Sequence, residues 1–329
     1  MPPRERLPAL SRRVPPPGVF AGLEEQEALA RLAGGELEVR GRLADASNAT
    51  LYAVVREGGA GAQDGREVAC VYKPVAGERP LWDFPDDTLA RREVASYAVS
   101  AATGWDVVPP TVLRDGPLGP GSVQLWLTDE SSRAPGERAA APGTPDEDAD
   151  PDLQDAEDAE DADEVVLPDP GAGLVDITAL RTAREGWFTV LRAEDGLGRP
   201  VALVHADDER LRRVAVLDVV LNNADRKGGH VLPGWGGAVH GVDHGLTFHV
   251  EPKLRTVLWG WAGDRLRPDE REVLARLAAE LDGGRLGELL SDLLTVEEAV
   301  ATLERVAALL DADRLPRPRG SRTIPWPPF

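Results

Sequence analysis

Apolar and polar residues alternate along several short runs in the first third of the chain, and this pattern predicts strands. The runs are residues 36–43, 50–57, 67–73, 107–113 and 121–127. The Gly-rich stretch 58–65 joins two of them as a hairpin, and Pro74 ends the third because proline cannot donate to a strand ladder. We therefore expect a small antiparallel sheet.

Elsewhere the apolar residues recur at helical spacing. The predicted helices are residues 22–33, 87–102, 207–223, 268–282, 284–294 and 296–311. Asp86 or Asp87 is the expected cap of the second helix, and Gly104 follows its end. Residues 177–193 are predicted to begin as a helix, 199–206 to form a strand, and 229–232 and 238–243 to form short strands. This order predicts an α+β fold with a small antiparallel sheet and one helix in an N-lobe, and a mostly helical C-lobe.

Negative charge is concentrated in one segment. Residues 129–170 hold 16 Asp or Glu against two Arg, a net of −14 out of −20 for the whole chain. This composition predicts that residues 129–170 are a disordered acidic insert between an N-lobe at 21–128 and a C-lobe at 171–312. Residues 1–20 are Pro- and Arg-rich and predict a disordered tail, and residues 313–329 form a Pro-rich tail.

Composition excludes several classes of protein. No run of 18 apolar residues is present, so we expect no integral membrane segment, and the first residues lack the apolar core of a secretory signal. Cys70 is the single cysteine, which rules out an intramolecular disulfide framework. The chain as a whole is acidic, so we expect no nucleic-acid partner. A cytoplasmic protein is the simplest interpretation.

Lysine is rare, and histidine is clustered. Of 37 basic residues only Lys73, Lys227 and Lys253 are lysine, and all five histidines lie within 205–249. A compact ammonium on a flexible stem is not interchangeable with a guanidinium, so each lysine is a candidate for a position where arginine would not serve.

The region with the clearest chemistry follows the helix predicted at 207–223. That helix leads into Asp225-Arg226-Lys227-Gly228-Gly229-His230, and Asp243-His244-Gly245 comes 18 residues after Asp225. In a kinase, the Asp of H-R-D-x-x-x-x-N takes the proton of the acceptor hydroxyl, and the Asn and the D-F-G Asp hold the metal ions. Asp225 and Asp243 fit the two Asp positions, and His230 stands where the Asn belongs.

The first half supplies the nucleotide side of this pattern. Lys73 ends the third predicted strand, and Glu93 lies 20 residues later within the next helix, which suits the Lys–Glu ion pair that aims a lysine at the phosphates. The loop 44–49 lies where a phosphate-covering loop belongs but has no glycine. Ser47, Asn48 and backbone amides would therefore contact the phosphates.

These motifs resemble those of a known superfamily. The segments 223–230 and 242–245 are similar to the N-x-D-R-x-x-x-N and I-D-x-G motifs of phosphatidylinositol 3- and 4-kinases and the related HipA-type kinases. Val71-Tyr72-Lys73-Pro74 and Val108-Pro109-Pro110-Thr111 are similar to K-P and V-P-x-T stretches of type II phosphatidylinositol 4-kinases. The closest resemblance is to an actinobacterial phosphatidylinositol-kinase-like branch, over about 36–127 and 172–312.

The resemblance implies a two-lobed protein-kinase-like fold and an ATP-dependent phosphotransferase acting on a hydroxyl of a protein, small molecule or lipid. Lys73 would contact the phosphates, Glu93 would orient it, and Asp225 would be the catalytic base. Leu125 and Trp126 would lie beside adenine. Asp243 and His230 would hold Mg²⁺ or Mn²⁺, with imidazole favouring Mn²⁺ and an acid limb near pH 6.5, the ordinary His pKa.

Two departures leave alternatives open. The His at 230 and the glycine-free loop are compatible with altered metal preference, with nucleotidyl transfer, or with a nucleotide-binding pseudokinase-like interaction protein. A metal-dependent hydrolase is a third possibility, because two-metal sites use the same residue types. Its ligands would come from Asp225, His230, His240, Asp243, His244 and His249. A −14 segment would be repelled by an anionic bilayer, so a protein or small-molecule acceptor is favoured over a lipid.

Overall fold

A computed structural model describes residues 19–20, 23–43, 48–56, 67–127, 173–180, 185–234, 237–320 and 322–329. Residues 1–18 and the predicted acidic insert 129–170 lie outside these ranges. The described residues form an α+β fold with antiparallel sheets, which confirms the predicted class.

The first half contributes seven strands and two helices to the described fold. The strands are β1 (Val19–Phe20), β2 (Leu23–Glu24), β3 (Glu36–Arg42), β4 (Leu51–Arg56), β5 (Glu67–Pro74), β6 (Thr111–Gly116) and β7 (Gly119–Leu125). The helices are α1 (Glu25–Gly34) and α2 (Leu89–Thr103). All the strand runs predicted here form strands, although β6 begins only after the two prolines at 109 and 110.

Strands β3 to β7 build one antiparallel sheet in the order β3-β4-β5-β7-β6. Its inner face is apolar at Ala53, Cys70 and Val123, and α1 packs Ala28 and Leu32 into the same cluster. Because side chains alternate across a strand, Lys73 at the end of β5 points away from its buried neighbour Tyr72.

Helix α2 starts differently from the prediction. Its N-cap position is Thr88 rather than Asp86 or Asp87, and its first free N–H groups, at Leu89 and Ala90, donate to the carboxylate of Glu78 at 3.0 and 2.8 Å. A carboxylate from outside the helix thus replaces a local cap and complements the positive end of the helix dipole. Gly104 ends the helix at φ 70°, as predicted.

The second half begins with a sheet and ends with helices. The strands are β8 (Val175–Ala179), β9 (Trp187–Glu194), β10 (Pro200–Ala206), β11 (Val231–Pro233) and β12 (Val239–Gly241). The helices are α3 (Glu209–Leu221), α4 (Pro268–Leu281), α5 (Arg285–Leu293) and α6 (Val296–Ala312). The helical start predicted for 177–193 was wrong. The described part of that segment is β8 and β9, which flank β10 in an antiparallel sheet.

Helix α3 is the centre of the larger core. Leu211, Val214, Leu217 and Leu221 are fully buried among side chains of α2, α4 and α6. The helix therefore fixes the loop that follows it, which carries Asp225. Within the described part of the chain, no helix is long and apolar enough to cross a membrane.

Candidate active site

A lysine bridges two carboxylates at the centre of the candidate site. Lys73 Nζ donates to Glu93 Oε1 and, at 2.8 Å, to Asp243 Oδ1. Burial alone would lower the pKa of Lys73, but the charges of Asp243 and Glu93 outweigh it and raise the pKa above its ordinary value. Lys73 therefore stays an ammonium, positioned between the sheet and the Asp243 segment.

Glu93 is a buried acid whose two oxygens are both used. Oε1 pairs with Lys73, and Oε2 accepts from the backbone N–H of His244 at 3.0 Å. A buried carboxylate is tolerated when it is paired and hydrogen-bonded in this way. Glu93 thus fixes Lys73 and the Asp243-His244-Gly245 turn with one side chain.

Asp243 stands in the left-handed region at φ 58°, a conformation that Asp adopts more readily than most residues. Its Oδ1 faces Lys73, its Oδ2 lies 3.3 Å from His230 Nε2, and about half of the side chain is exposed. The charge of Lys73 holds the pKa of Asp243 well below its ordinary value. Asp243 is therefore an anion with an open face.

Asp225 is held by the end of α3. Asn222 ends that helix at φ 53°, and the side chain of Asn223 accepts from the backbone N–H of Asp225 at 2.9 Å. Asp225 Oδ2 lies 3.4 Å from Lys227 Nζ. Burial, with a further contribution from Asp243, raises the pKa of Asp225 although Lys227 opposes the shift. Raising a carboxylate pKa makes it a better proton acceptor.

Arg226 stabilises the segments that carry Asp225, His230 and Asp243. The sequence analysis gave this residue no role. It is fully buried and pairs with Asp218 of α3 through Nε and Nη2. It also donates to the carbonyl oxygens of His230 and Val242 at 3.0 and 2.8 Å and to His244 Nε2 at 2.7 Å. One guanidinium thus fixes the backbone just before Asp243 and at His230. A buried Asp in an apolar helix, followed by Asp-Arg, was the available signal.

His230 is a largely buried imidazole beside Asp243. Burial lowers the pKa of His230 to about 4. The charge of Asp243 opposes this shift, and the charges of Arg226, Lys227 and Lys73 reinforce it. Its Nδ1 is buried without a hydrogen-bond partner in the structure. Two donors at about 2.1–2.2 Å from one ion and at right angles lie about 3 Å apart, close to the 3.3 Å between Nε2 and Asp243 Oδ2.

The donor set is otherwise sparse. Over the described ranges, no group of three or more His, Cys, Asp or Glu side chains is placed to hold a metal ion. His240 Nδ1 instead contacts the carbonyl of Asp106 at 2.7 Å, and His244 pairs with Arg226. His249 packs edge-on against Phe84. The six residues considered for a two-metal hydrolase therefore do not converge.

The remaining predicted nucleotide contacts are dispersed. Ser47 lies outside the described residues. Asn48 Oδ1 accepts from the N–H of Arg79 at 3.0 Å, which ties its loop to the segment after β5. Leu125 is buried in the core of the five-stranded sheet, and Trp126 packs edge-on against Tyr52. The structure brings Lys73, Glu93, Asp243 and His230 together, and it leaves the Leu125 side chain in the core.

Helix α2 is anchored to the second half by a second buried cation. Arg92, beside Glu93, donates to the carbonyl of Thr247 at 2.6 Å and to Glu298 of α6 at 2.5 Å. Ser96, one turn on, contacts the Thr247 hydroxyl at 3.2 Å. These contacts fix the distance between α2 and the segment that follows Asp243, and therefore the geometry of the lysine bridge.

The three lysines all form ion pairs with carboxylates. Lys73 and Lys227 pair within the site, and Lys253 pairs with Asp83 at 2.7 Å beneath the exposed ring of Trp82. Lys253 joins the loop before α2 to the segment after Asp243. Lysine rarity was thus a useful signal, although only Lys73 had been given a role.

Comparison with known proteins adds one relationship. The chain is 49% identical over 298 residues to a Mycobacterium tuberculosis protein named Protein Rv2133c. The match covers 91% of this chain and 94% of that protein. The chain belongs to the Rv2133c family. No protein-family profile matches the chain.

Proposed function

We propose that this chain is an ATP-dependent phosphotransferase of the phosphatidylinositol-kinase-like or HipA-like type, and a cytoplasmic one. The observation that carries the proposal is the lysine bridge. Lys73, Glu93 and Asp243 come from a strand, a helix and a distant turn, and they meet in the pairing that a kinase uses to hold phosphates. In this proposal the five-stranded sheet with α2 is the N-lobe of a two-lobed fold, and the residues from 173 onward are the C-lobe.

The charges of the site favour nucleotide phosphates that arrive together with a divalent cation. The ammonium of Lys73 is already partly neutralised by Glu93, and Asp243 keeps an open face beside it. A divalent ion between Asp243 and the phosphates would offset their combined negative charge, because a triphosphate and a carboxylate repel each other when no cation lies between them. Asp243 and His230 would hold that ion, and the phosphates would supply further oxygen ligands.

The bound metal would neutralise charge on the transferring phosphoryl group. Asp225 accepts the proton of the acceptor hydroxyl, whose oxygen forms a bond to the γ-phosphorus. The bond between that phosphorus and the β,γ-bridging oxygen breaks, and ADP leaves with the electron pair. Lys227, 3.4 Å from Asp225, offsets the negative charge of the base before transfer. A protein or small-molecule acceptor is preferred to a lipid, since the sequence carries a −14 segment that an anionic bilayer repels.

Metal-dependent nucleotide binding tests the proposal. We expect calorimetric titration with ATP to show binding by the parent in Mg²⁺ or Mn²⁺, and little binding in EDTA. Asp243→Asn should weaken binding in the presence of metal but not in EDTA, where the loss of a negative charge beside Lys73 favours the phosphates. Asp264→Asn is the matched control, since Asp264 is a half-exposed partner of Arg212. Equal titrations with and without metal would contradict the proposed role of Asp243.

A further inference from the structure

The segment 322–329 lies against the loop that carries Asp225. The backbone N–H of Gly228 donates to the carbonyl of Pro328 at 2.8 Å, and the Phe329 ring packs so closely on Gly228 that an added Cβ would clash with it. Gly228 is three residues after Asp225 and two before His230. The end of this segment therefore covers the middle of the proposed catalytic loop.

The same segment is held a second time at the strand-like stretch beside that loop. The carbonyl of Thr323 accepts from the N–H of Thr256 at 3.0 Å and from the Trp259 indole at 2.8 Å. Thr256 is itself paired with Arg226 as an isolated parallel bridge. The catalytic loop and residues 255–259 thus form one continuous surface beneath residues 322–329.

The direction of these contacts indicates the kind of ligand that fits the surface. In all three hydrogen bonds the protein surface donates and the segment accepts through a main-chain carbonyl. Main-chain carbonyls are common to every peptide, and the apolar contacts of Ile324 and Phe329 with the larger core add selectivity, as in other modes of peptide recognition. Proline has no backbone N–H to donate. A Pro-rich segment on a surface that offers hydrogen-bond donors therefore leaves few of its own donors unpaired.

We propose that Gly228, Thr256 and Trp259 form a peptide-binding surface for the acceptor, which residues 322–329 occupy in cis. That the surface binds a peptide through main-chain carbonyls and an apolar side chain follows from the contacts alone. That this peptide is the acceptor rests on the proposed function. An incoming peptide has to displace the chain's own segment, whose tethering gives it a high effective concentration.

Full-length variants and a labelled peptide test this. The probe is a fluorescein-labelled peptide with the sequence of residues 320–329, followed by fluorescence anisotropy without nucleotide. Phe329→Ala weakens the cis segment, so it should bind the probe on the order of tenfold more tightly than the parent. Adding Gly228→Ala to that variant should abolish binding, because the new methyl occupies the place of the probe's Phe ring. Trp326→Ala alters a ring that is 80% exposed and should match the parent.

A folded Phe329→Ala variant that binds the probe no better than the parent would overturn the proposal. The proposal would also be overturned if the double variant bound the probe as tightly as Phe329→Ala does. Hydrogen exchange of the unmodified chain gives a second test. The Gly228 and Thr256 amides should exchange through local opening, at least about 100-fold faster than amides in the middle of α3. Protection equal to α3 would make the segment a permanent part of the core and contradict displacement. ATP turnover is measured separately, so probe binding without any turnover would sink the kinase proposal and leave the peptide surface standing.

Discussion

Lys73 and Asp243 lie 170 residues apart in the chain, yet Lys73 Nζ donates to Asp243 Oδ1 at 2.8 Å. Strand β5, which carries Lys73, and the turn that carries Asp243 are fixed to each other through α2. Glu93 of α2 pairs with Lys73 and accepts a hydrogen bond from the His244 N–H. The relative position of the two halves is thus set by a buried polar network. The following predictions test what that network does.

Removing the bridge should abolish nucleotide use. We expect Lys73→Ala to lower kcat/KM for ATP by at least about 100-fold, since a preorganised charge aimed at the phosphates is lost. Glu93→Gln should have a smaller effect, because Lys73 keeps its contact with Asp243. Lys253→Ala is the matched control, as its ion pair with Asp83 lies outside the bridge. A Lys73→Ala variant as active as Lys253→Ala would refute the assignment.

His230 should set the metal preference. Asn offers an amide oxygen where His offers a nitrogen, and Mg²⁺ prefers oxygen ligands. His230→Asn should therefore weaken Mn²⁺ binding by about tenfold, or ~1.4 kcal/mol, relative to Mg²⁺. Mn²⁺ electron paramagnetic resonance with a non-hydrolysable ATP analogue measures this directly. An unchanged ratio would mean that His230 contacts no metal.

The pH dependence of that metal binding differs from the sequence expectation. An ordinary His pKa places the acid limb near 6.5, but burial lowers the pKa of His230 to about 4. The imidazole therefore stays neutral, and able to bind metal, well below pH 6.5. We expect Mn²⁺ affinity of the parent to be nearly constant between pH 7 and about pH 5.5. A loss centred on pH 6.5 would contradict the buried, neutral state.

Removing only one partner of the buried Arg92–Glu298 pair should lower the free energy of unfolding substantially. Glu298→Leu leaves a buried guanidinium with one partner fewer and should cost about 3–5 kcal/mol in chemical denaturation. The double variant Arg92→Met/Glu298→Leu should recover part of this loss, because the contact of Glu298 with the Thr295 N–H at the start of α6 stays broken. Glu209→Gln, in an exposed helical pair with Arg213, should cost less than about 1 kcal/mol. A double variant no more stable than Glu298→Leu would show that Arg92 and Glu298 do not contribute to stability as a pair.

Acid should destabilise the nucleotide-free protein through its buried imidazoles. Burial lowers the folded-state pKa of four histidines below the ordinary 6.5; they are His205, His230, His240 and His244. The unfolded chain then binds more protons as pH falls through 6.5, so stability falls with pH. The lowered folded-state pKa values, about 4 for two of the four, set the lower end of the window.

Each such group contributes at most about 1.4 kcal/mol per pH unit in that window. Urea denaturation at pH 7, 6 and 5 measures the slope, and His240→Gln should reduce it by about one proton. A slope unaffected by that substitution would contradict the neutral, buried state of His240.

Local pattern predicted most elements, because apolar spacing along one strand or helix reports its own buried face. It failed at the start of 177–193, where Ile177 and Leu180 fit helical spacing, but Ile177 pairs with Leu203 of β10 as part of strand β8. The cap of α2 was missed because Glu78 reaches it from ten residues upstream. Lys73, Glu93, Asp225 and Asp243 were found from order and spacing.

The anchors of the site could not be found that way. Arg92 finds its partners 155 and 206 residues further along the chain. Arg226 binds Asp218 of α3 and the carbonyl oxygens of His230 and Val242, and the last two partners belong to segments whose position depends on the tertiary fold. The contact of Phe329 with Gly228 likewise depends on how the last segment crosses the surface.

The most direct test of the account is the formation of ADP from ATP by the parent and by Asp225→Asn. Both proteins should bind ATP with Mg²⁺ or Mn²⁺, since Asp225 touches neither Lys73 nor His230 in the structure's ion pairs. The parent should convert ATP to ADP, with water or its own hydroxyl groups as acceptor, and Asp225→Asn should do so at least about 100-fold more slowly. ADP formation at equal rates by both proteins, or by neither with either metal, would contradict the account.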